Sequence, residues 1–276
     1  MQKINQKYIK SVVRKALEED LKPVGDITTK LIKFNNKKIK AKIIAKQDGV
    51  IAGIDFCKKA FEIIGKETIF YSKVKDGKFI KKSKVIAEIS ASIKTLLKAE
   101  RTALNFLNHA SGIATLTNNF VKKVGKKTKI CCTRKTTPNL RLLEKYAVKQ
   151  GGGFNHRFNL SDELLIKDNH ILAAKDIRKL VTKASKSKKI VTVEIENIRQ
   201  LKKILDLKFK RVLFDNMNIS QIKKCLQLCG KKYETEYSGN ATLKNIKKIS
   251  NTGINRISVG AITHSAAAFD TSLLLG

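Results

Sequence analysis

The spacing of apolar residues along the chain predicts an N-terminal region of mixed helix and strand. A first amphipathic helix is indicated by apolar residues that share one helical face, namely Ile9, Val12, Val13, Ala16 and Leu17. Between residues 37 and 93, the runs KIKAKIIAKQ, GVIAGI and KVIAEIS are typical of short strands, with glycine-bearing turns and one helical segment, DFCKKAFEIIG. A long helix is expected from Lys94 to Val124. This part of the chain reads as a small α+β domain.

The pattern then changes, and short apolar runs alternate with helical segments. Six strands are predicted at KICCTRK, ELLIKDN, KIVTVEIEN, RVLFDN, YETEYSGN and RISVGAITH. The final segment, SAAAFDTSLLL, is expected to be a helix. Six strand-then-helix units in series predict an α/β fold with a parallel sheet. Because a complete barrel has eight units, we favour an incomplete barrel over an open doubly wound sheet.

Chemically reactive residues cluster where each predicted strand ends. They are Thr133-Arg134-Lys135, Lys167-Asp168-Asn169, Glu194 to Asn197, Asp215-Asn216, Ser238-Gly239-Asn240 and Gly260 to His264. In a βα barrel these carboxyl ends converge on one rim, where the active site lies. The triple glycine of GGGFNHR is tolerated mainly where a backbone turns sharply or lies close to another group, and His156 and Arg157 follow it directly. The sequence therefore predicts an active site at this rim.

The net charge of +35, from 58 lysines and arginines against 23 acids, raises the question of a nucleic-acid partner. The basic residues are spread along the chain in pairs, without a long basic block or an aromatic-studded stripe, which argues against that class of function. Only nine of the 58 are arginines, whose planar fork of donors binds carboxylate or phosphate in two places. An arginine at the rim is therefore a candidate for binding an anion.

Five cationic or proton-carrying groups are expected near one another on the rim: Arg134, Lys135, His156, Arg157 and Lys167. They would repel one another unless an anion of high charge lay among them, so they predict a small polyanionic substrate. A solvent-facing charge pair at Arg134-Lys135 and a structural histidine at position 156 are the simpler alternatives. Lys167 also leaves open a Schiff-base mechanism.

Carboxylates end two successive strands at Glu194 and Asp215. They suit Mg²⁺, which usually takes one or two carboxylates together with substrate phosphates, although pairing with nearby lysines is the alternative. Glu196 shares a strand face with Glu194 by alternation, so the choice between them stays open.

Small residues at the last two strand ends indicate a phosphate cradle. Ser238-Gly239 and Gly260 precede helices that we expect to start at Thr242 and Thr263. Backbone N–H groups and helix N-termini in such turns favour bound phosphate.

Other signals place the chain in the cytoplasm and exclude several mechanisms. The five cysteines contain no C-x-x-C pair and are odd in number, which favours a reducing compartment. We expect neither a signal peptide nor a membrane span. The four histidines lack the spacing of a zinc site, and the sequence has no Walker A loop, H-E-x-x-H, G-x-S-x-G or G-x-G-x-x-G motif.

Several stretches together resemble the quinolinate phosphoribosyltransferase family: ERTALNFLNHASGIAT, TRKTTPNLRLLEKYAVKQGGGFNHRF, LLIKDNHI, VEIEN, LFDN, EYSGN and ISVGAITHS. The resemblance implies a sandwich-like N-terminal α+β domain over residues 1–110, joined by the C-terminal helix, and an incomplete (β/α) barrel over residues 111–276. It implies a homodimer whose subunits complete each other's sites, with higher oligomers left open. The implied reaction joins quinolinate to phosphoribosyl pyrophosphate with Mg²⁺, giving nicotinate mononucleotide, pyrophosphate and carbon dioxide for NAD synthesis.

The resemblance also implies roles for individual residues. The quinolinate carboxylates would be held by Arg134, His156, Arg157 and Lys167, with Arg101 entering from the partner subunit. The catalytic residues facing phosphoribosyl pyrophosphate would be Lys135, Glu194 and Asp215, the last two as magnesium ligands. The 5′-phosphate would be surrounded by Ser238, Gly239, Gly260 and His264. Where the family pattern leads us to expect a second glycine, this chain has Asn240.

Three rival functions remain at this point. A phosphoribosyltransferase for another acid would keep Glu194 and Asp215 but tolerate a different carboxylate clamp. An enzyme that forms a Schiff base would use Lys167. A nucleic-acid binder would need no rim of reactive residues and would show salt-dependent affinity.

Overall fold

The computed structural model describes residues 4–34 and 37–276. The helices are α1 Gln6–Leu21, α2 Ile27–Lys30, α3 Ile54–Ile64, α4 Ile93–Val124, α5 Arg141–Gln150, α6 Asp168–Ala174, α7 Ile177–Ala184, α8 Ile198–Lys202, α9 Ile219–Cys229, α10 Ile246–Ser250 and α11 Ala261–His264. The strands are β1 Lys38–Ala45, β2 Gly49–Val50, β3 Ile69–Ser72, β4 Phe79–Ile80, β5 Val85–Ser92, β6 Lys129–Cys131, β7 Leu164–Ile166, β8 Val191–Ile195, β9 Arg211–Asp215, β10 Glu234–Ser238, β11 Arg256–Ser258 and β12 Thr271–Leu275.

These elements form two compact units. Unit 1 runs to Leu116 and also includes Leu142–Gly152 and Ala266–Gly276. Unit 2 comprises Thr117–Arg141 and Gly153–Ser265.

The first helix of unit 1 has the amphipathic form that its sequence predicts. Ile9, Val13 and Leu17 are buried one turn apart on a single face of α1. This face packs on α3, where the ring of Tyr8 meets the edge of Phe56 with 6.3 Å between centroids. Four-residue spacing gives the helix one apolar stripe, and burial of that stripe stabilises it.

The main sheet of unit 1 has the strand order β12-β1-β5-β3 and is antiparallel. The expected C-terminal helix is wrong, because Thr271–Leu275 forms strand β12 beside β1, with Ala45 opposite Thr271 and Ala41 opposite Leu275. The leucines of this segment have good helix propensity, but the edge of β1 offers unpaired backbone groups to it. The buried Phe269, whose backbone N–H donates to the Asn108 carbonyl at 2.9 Å, holds the segment in place.

Unit 2 contains all six predicted strands in one parallel sheet, with the order β6-β11-β10-β9-β8-β7. Within the described residues the end strands β6 and β7 do not pair with each other, so the predicted incomplete barrel is confirmed. The segment after the triple glycine lies beside β6, where the Phe154 N–H donates to the Ile130 carbonyl at 2.7 Å and the Phe154 carbonyl accepts from the Cys132 N–H at 3.0 Å. The glycines therefore bring His156 and Arg157 to the end of a strand.

The contiguous domain boundary between residues 110 and 111 stays a prediction, and the compact units divide the chain differently. Their boundary falls inside α4, and two later segments return to unit 1. The C-terminal segment returns through the β12 ladder. The α5 segment returns because Glu144 lies 2.9 Å from His109 Nε2 and the Tyr146 hydroxyl donates to Asp76 at 2.8 Å.

Neither unit has a helix, among the residues described, with the length and apolar character to cross a bilayer. All five cysteines are buried and free, and Cys225 and Cys229 lie on the inner face of α9, as their four-residue spacing predicts.

Candidate active site

A cleft of about 810 Å³ lies at the carboxyl ends of the parallel strands of unit 2. Eleven of the twelve residues proposed from the sequence line it: Arg134, Lys135, His156, Arg157, Lys167, Glu194, Asp215, Ser238, Gly239, Gly260 and His264. Parallel strands point their carboxyl ends the same way, so residues far apart in the chain meet at one edge. Other lining residues, such as Thr133, Asp168 and Asn216, come from the same strand ends.

The carboxylate side of the cleft is formed by Glu194 and Asp215. Glu194 is buried at the end of β8, and Lys167 Nζ lies 3.2 Å from its Oε2. Pairing of Ile166 with Val193 in the sheet register brings the next two residues, Lys167 and Glu194, together. Burial raises the pKa of Glu194, while the neighbouring Lys167 ammonium opposes that rise. Lys167 therefore provides a counter-charge for this carboxylate as well as one wall of the cleft.

Two guanidinium groups, those of Arg134 and Arg157, also line the cleft. Arg157 is only 7% exposed, and its Nη1 donates to the Glu163 carbonyl at 3.1 Å. The Nε atoms of Arg134 and Arg157 are both buried and have no hydrogen-bond partner among the described residues. Burial lowers the pKa of Arg157, and the nearby positive charge of Arg134 lowers it further. Two cations, each with a buried Nε donor that is unused, favour an anion in this cleft.

His156 contacts the backbone of Arg157 on one side of its ring and the buried Glu236 on the other. Its Nε2 lies 3.5 Å from Oε1 of Glu236, with both side chains buried, and its Nδ1 accepts a hydrogen bond from the Arg157 backbone N–H at 2.9 Å. Burial lowers the pKa of His156, whereas the Glu236 carboxylate raises it.

The ends of β10 and β9 make a close approach at Gly239. This residue has φ +127°, and a Cβ there would lie 2.3 Å from Asn216 Oδ1 and 2.9 Å from the Asn216 Cα. Only glycine fits, for reasons of conformation and of space. Asn240 has φ +35°, a left-handed conformation that asparagine tolerates better than most residues. Asn240 is therefore compatible with the backbone conformation of this turn.

Gly260, His264 and Lys135 come together on the remaining side. A Cβ at Gly260 would lie 3.0 Å from His264 Nε2 and 3.4 Å from Lys135 Cδ. The Thr263 hydroxyl donates to the Lys135 carbonyl at 2.6 Å and holds this loop against α11. The helix expected to start at Thr242 begins instead at Ile246, because Thr242 and Asn245 form a turn in which the Thr242 N–H donates to Asn245 Oδ1 at 2.8 Å. The helix expected to start at Thr263 begins earlier, at Ala261.

The arrangement of strands, cations and carboxylates agrees with the result of sequence comparison. A model of the quinolinate phosphoribosyl transferase N-terminal domain matches residues 26–111, and a model of the C-terminal domain of the same family matches residues 113–274. The chain belongs to the quinolinate phosphoribosyltransferase family.

Relatives within the quinolinate phosphoribosyltransferase family match nearly the whole chain. A probable nicotinate-nucleotide pyrophosphorylase [carboxylating] of Bacillus subtilis is 37% identical over 98% of this chain and 94% of its own length. A chloroplastic nicotinate-nucleotide pyrophosphorylase [carboxylating] of Arabidopsis thaliana is 36% identical over 96% of this chain and 82% of its own. The solved structure of the nicotinate-nucleotide pyrophosphorylase from Francisella tularensis has a TM-score of 0.94 at 38% identity, with 99% of this chain and 98% of that chain covered.

One residue expected in a family active site does not line this cleft. Arg101 lies at an exposed position of α4 in unit 1, and its proposed entry from a partner subunit stays a prediction. Of the two carboxylates Glu194 and Glu196, only Glu194 lines the cleft. β8 ends at Ile195, so alternation stops there, and Glu196 is exposed and outside the cleft lining.

Two residues that shape the site were not proposed from the sequence. Glu236 lies two residues before Ser238 on the same face of β10, and the alternation of E-T-E-Y-S indicates that it points into the barrel. Arg141 donates from Nε to Thr136 Oγ1 at 3.0 Å and from Nη2 to the Arg134 carbonyl at 3.4 Å, and so fixes the Arg134 loop. Its place in the TRKTTPNLR stretch, among arginines that are rare in this chain, was the available signal.

Proposed function

We propose that this protein is a quinolinate phosphoribosyltransferase that converts quinolinate and phosphoribosyl pyrophosphate to nicotinate mononucleotide, pyrophosphate and carbon dioxide in NAD biosynthesis. Family membership and the activities for which its relatives are named support this proposal. The observation that carries it is the pair of buried, unpartnered arginine Nε atoms in a cleft that also holds Glu194 and Asp215.

The charges of the two substrates match the charged groups that line the cleft. Quinolinate carries two adjacent carboxylates, and the fork of a guanidinium binds a carboxylate through two parallel hydrogen bonds. Arg134 and Arg157 would receive these carboxylates, with Lys167 beside them. Gly239 and Gly260 would let the backbone approach the 5′-phosphate, with Ser238 and His264 as neighbours.

Magnesium is the metal that the donor set suits. The described residues contain no group of three or more histidines, cysteines or acids that could form a complete metal cage. Magnesium commonly binds through one or two carboxylates and the oxygens of substrate phosphates, so Glu194 and Asp215 would hold it once phosphoribosyl pyrophosphate is bound. Bound there, the ion would neutralise charge on the departing pyrophosphate.

The side chains then position and stabilise charge without covalent catalysis. The bond from ribose C1 to pyrophosphate breaks as the pyridine nitrogen donates its lone pair to C1, and Lys135 would stabilise the leaving phosphate oxygens. The ring nitrogen is now cationic, so the bond from C2 to the adjacent carboxylate breaks with its electrons left on C2. Carbon dioxide leaves, and C2 takes a proton from solvent.

A homodimer with shared active sites is part of the proposal, since Arg101 is exposed on α4 and would serve the partner's cleft. The test mixes two inactive variants, Arg101→Ala and Arg157→Ala, under conditions that exchange subunits. Random pairing would place both changes in the same site of each mixed dimer and restore about a quarter of wild-type activity. A mixture that stays inactive despite verified exchange would show that Arg101 acts within its own subunit or outside the site.

We also propose that the enzyme works in the cytoplasm. The five free, buried cysteines are consistent with a reducing compartment. Fractionation of the source cells with activity measured in each fraction tests this, and activity confined to a membrane or secreted fraction would contradict it.

The central experiment supplies the purified protein with phosphoribosyl pyrophosphate, Mg²⁺ and quinolinate labelled at the 2-carboxylate. We expect labelled carbon dioxide and nicotinate mononucleotide in equal amounts, and no product without either substrate. Product from nicotinate but not quinolinate would favour a transferase for another acid. Borohydride trapping of substrate on Lys167 would favour the Schiff-base alternative.

A further inference from the structure

A fully buried carboxylate, Glu236, lies below the candidate active site. It is 0% exposed, inside a parallel barrel whose interior is normally apolar. Its carboxylate accepts from Arg256 Nε at 3.0 Å and from the Ser258 hydroxyl, and Arg211 Nε lies 3.5 Å away. A buried charge without such donors would be strongly destabilising, so these contacts explain how Glu236 is tolerated but not why it faces the site.

The fourth neighbour of Glu236 is His156, and the two nitrogens of this ring are used differently. Nδ1 accepts the backbone N–H of Arg157 at 2.9 Å, so it carries no proton. A neutral ring then has its proton on Nε2, which faces Glu236 Oε1 at 3.5 Å. The charged groups around the ring are Glu236 and Glu163, which favour the imidazolium, and Arg211 and Arg256, which oppose it. Burial of the ring adds to the effect of the arginines and favours the neutral form.

We propose that Glu236 is a positioning residue: it fixes His156 in the Nε2–H tautomer, and His156 in turn holds the Arg157 backbone so that the Arg157 guanidinium faces the substrate cleft. The line of contacts runs from a buried strand residue through the imidazole to the backbone N–H of the cation that would bind quinolinate. A donor held by packed neighbours loses less entropy when its ligand binds. The expected effect on quinolinate binding rests on the proposed function. The tautomer of His156 does not depend on that function.

The simpler role for Glu236 is to neutralise Arg211 and Arg256, and the chain contains a matched control for it. Glu234 lies two residues earlier on the same strand and pairs with the same two arginines, at 2.9 Å from Arg211 Nε and 3.7 Å from Arg256 Nη1. Its described contacts do not include His156. Glu234→Gln therefore perturbs the arginines and the exposed Lys129, which lies 3.6 Å from Glu234, but not the histidine. Glu236→Gln perturbs the arginines and the histidine. A single amide oxygen cannot serve Arg256, Ser258 and His156 together.

The direct test measures histidine tautomers by NMR on protein labelled with ¹⁵N in its imidazole rings. The chain has four histidines, and His156→Asn assigns the signal of interest. In the wild type at pH 7 we expect a protonated Nε2 and an unprotonated Nδ1 at His156, a result that needs no variant to fold. In Glu236→Gln we expect a mixed or reversed tautomer, and in Glu234→Gln no change. A protonated Nδ1 in the wild type, or equal changes in both variants, would overturn the proposal.

The kinetic test uses the same variants in a double-mutant cycle. Glu236→Gln is expected to raise the KM for quinolinate about 10-fold, with the KM for phosphoribosyl pyrophosphate changed less than about 2-fold. In a His156→Ala background, Glu236→Gln should change the KM for quinolinate by less than about 2-fold, because the imidazole that links Glu236 to Arg157 is already absent. An undiminished effect in that background would show that Glu236 acts through its arginines instead. If the wild type does not turn over quinolinate, the proposed function fails and the NMR result alone decides the role of Glu236.

Discussion

Unit 2 has two basic clefts at opposite edges of one parallel sheet. Both are lined by cations, but the cations differ in their exposure and in their hydrogen-bond partners. The amino-end cleft has a volume of about 660 Å³ and is lined by Lys127, Lys129, Lys210, Lys231, Lys232 and Arg256, among others. All five lysines are exposed. The carboxyl-end cleft, of about 810 Å³, instead combines two buried guanidinium nitrogens that have no hydrogen-bond partner among the described residues with a glycine turn that has no space for a Cβ.

The difference shows that positive charge is a poor guide to function in a chain with net charge +35. Exposed lysines keep their hydration and their side-chain freedom, so they bind anions weakly and without preferred geometry. A guanidinium with a buried, unpaired donor costs stability until an anion reaches it. Burial and arrangement, rather than charge, therefore mark the carboxyl-end cleft as the site.

The largest effect is expected from Arg157→Ala, which removes a buried cation from the carboxyl-end cleft. Loss of two charge-assisted hydrogen bonds should lower kcat/KM for quinolinate about 100-fold or more, through a higher KM and a lower kcat together. Steady-state kinetics measure this. Arg178→Ala is the control, since Arg178 is an exposed arginine paired with Asp206, and it should leave both constants unchanged. Wild-type kinetics for Arg157→Ala would remove this residue from the site.

An intermediate effect is expected from Gly239→Ala. The new Cβ would overlap Asn216, whose Cα lies 2.9 Å from the Cβ position, and should displace the turn at the end of β10. We expect the KM for phosphoribosyl pyrophosphate to rise about 10-fold while that for quinolinate changes little.

Gly253→Ala separates this clash from simple backbone strain. Gly253 also has a positive φ, +93°, but nothing lies within 4 Å of its Cβ position. The Gly253→Ala variant should have a free energy of unfolding lower by about 1 kcal/mol, measured by thermal melting, and unchanged KM values for both substrates. Equal kinetic effects of the two alanine variants would mean that the close approach at Asn216 has no role in binding.

The smallest effect is expected at the amino-end cleft, where a double variant, Lys210→Ala with Lys231→Ala, removes two exposed cations. Activity should change less than about 2-fold, because isolated surface substitutions rarely alter stability or binding. Lys135→Ala, at the carboxyl-end cleft, is the counterpart and should lower kcat strongly. A loss of kcat in the Lys210→Ala, Lys231→Ala double variant as large as that in Lys135→Ala would contradict the distinction between the two clefts.

The strand-end residues could be predicted because they depend on local pattern. Apolar runs of four to six residues mark buried parallel strands, and polar residues that follow them must lie at the carboxyl edge. Lys135, Glu194 and Asp215 follow such runs, and the cleft at the carboxyl edge contains all three. The local pattern could not choose between Glu194 and Glu196, since that choice depends on the residue at which β8 stops pairing with its neighbours.

Other features needed contacts that no local pattern encodes. The segment Thr271–Leu275 has the composition of a helix, and only the open edge of β1 makes it a strand. Glu236 has the alternation of an inward residue, but its meeting with His156 joins two positions that are 80 residues apart in sequence. Such a contact depends on the sheet order, which brings the segment after β6 and strand β10 into one interior.

The sequence by itself determined most of the periodic elements, the parallel sheet and the set of reactive residues at one rim, because side-chain period and the alternation of strands with helices are local properties of the chain. Only the tertiary structure decided which basic cleft holds buried, unpartnered arginine donors, which edge the last segment joins and which carboxylate lies beside His156. Burial, edge pairing and ion pairing are contacts between distant segments, and their free energies exist only once those segments have met.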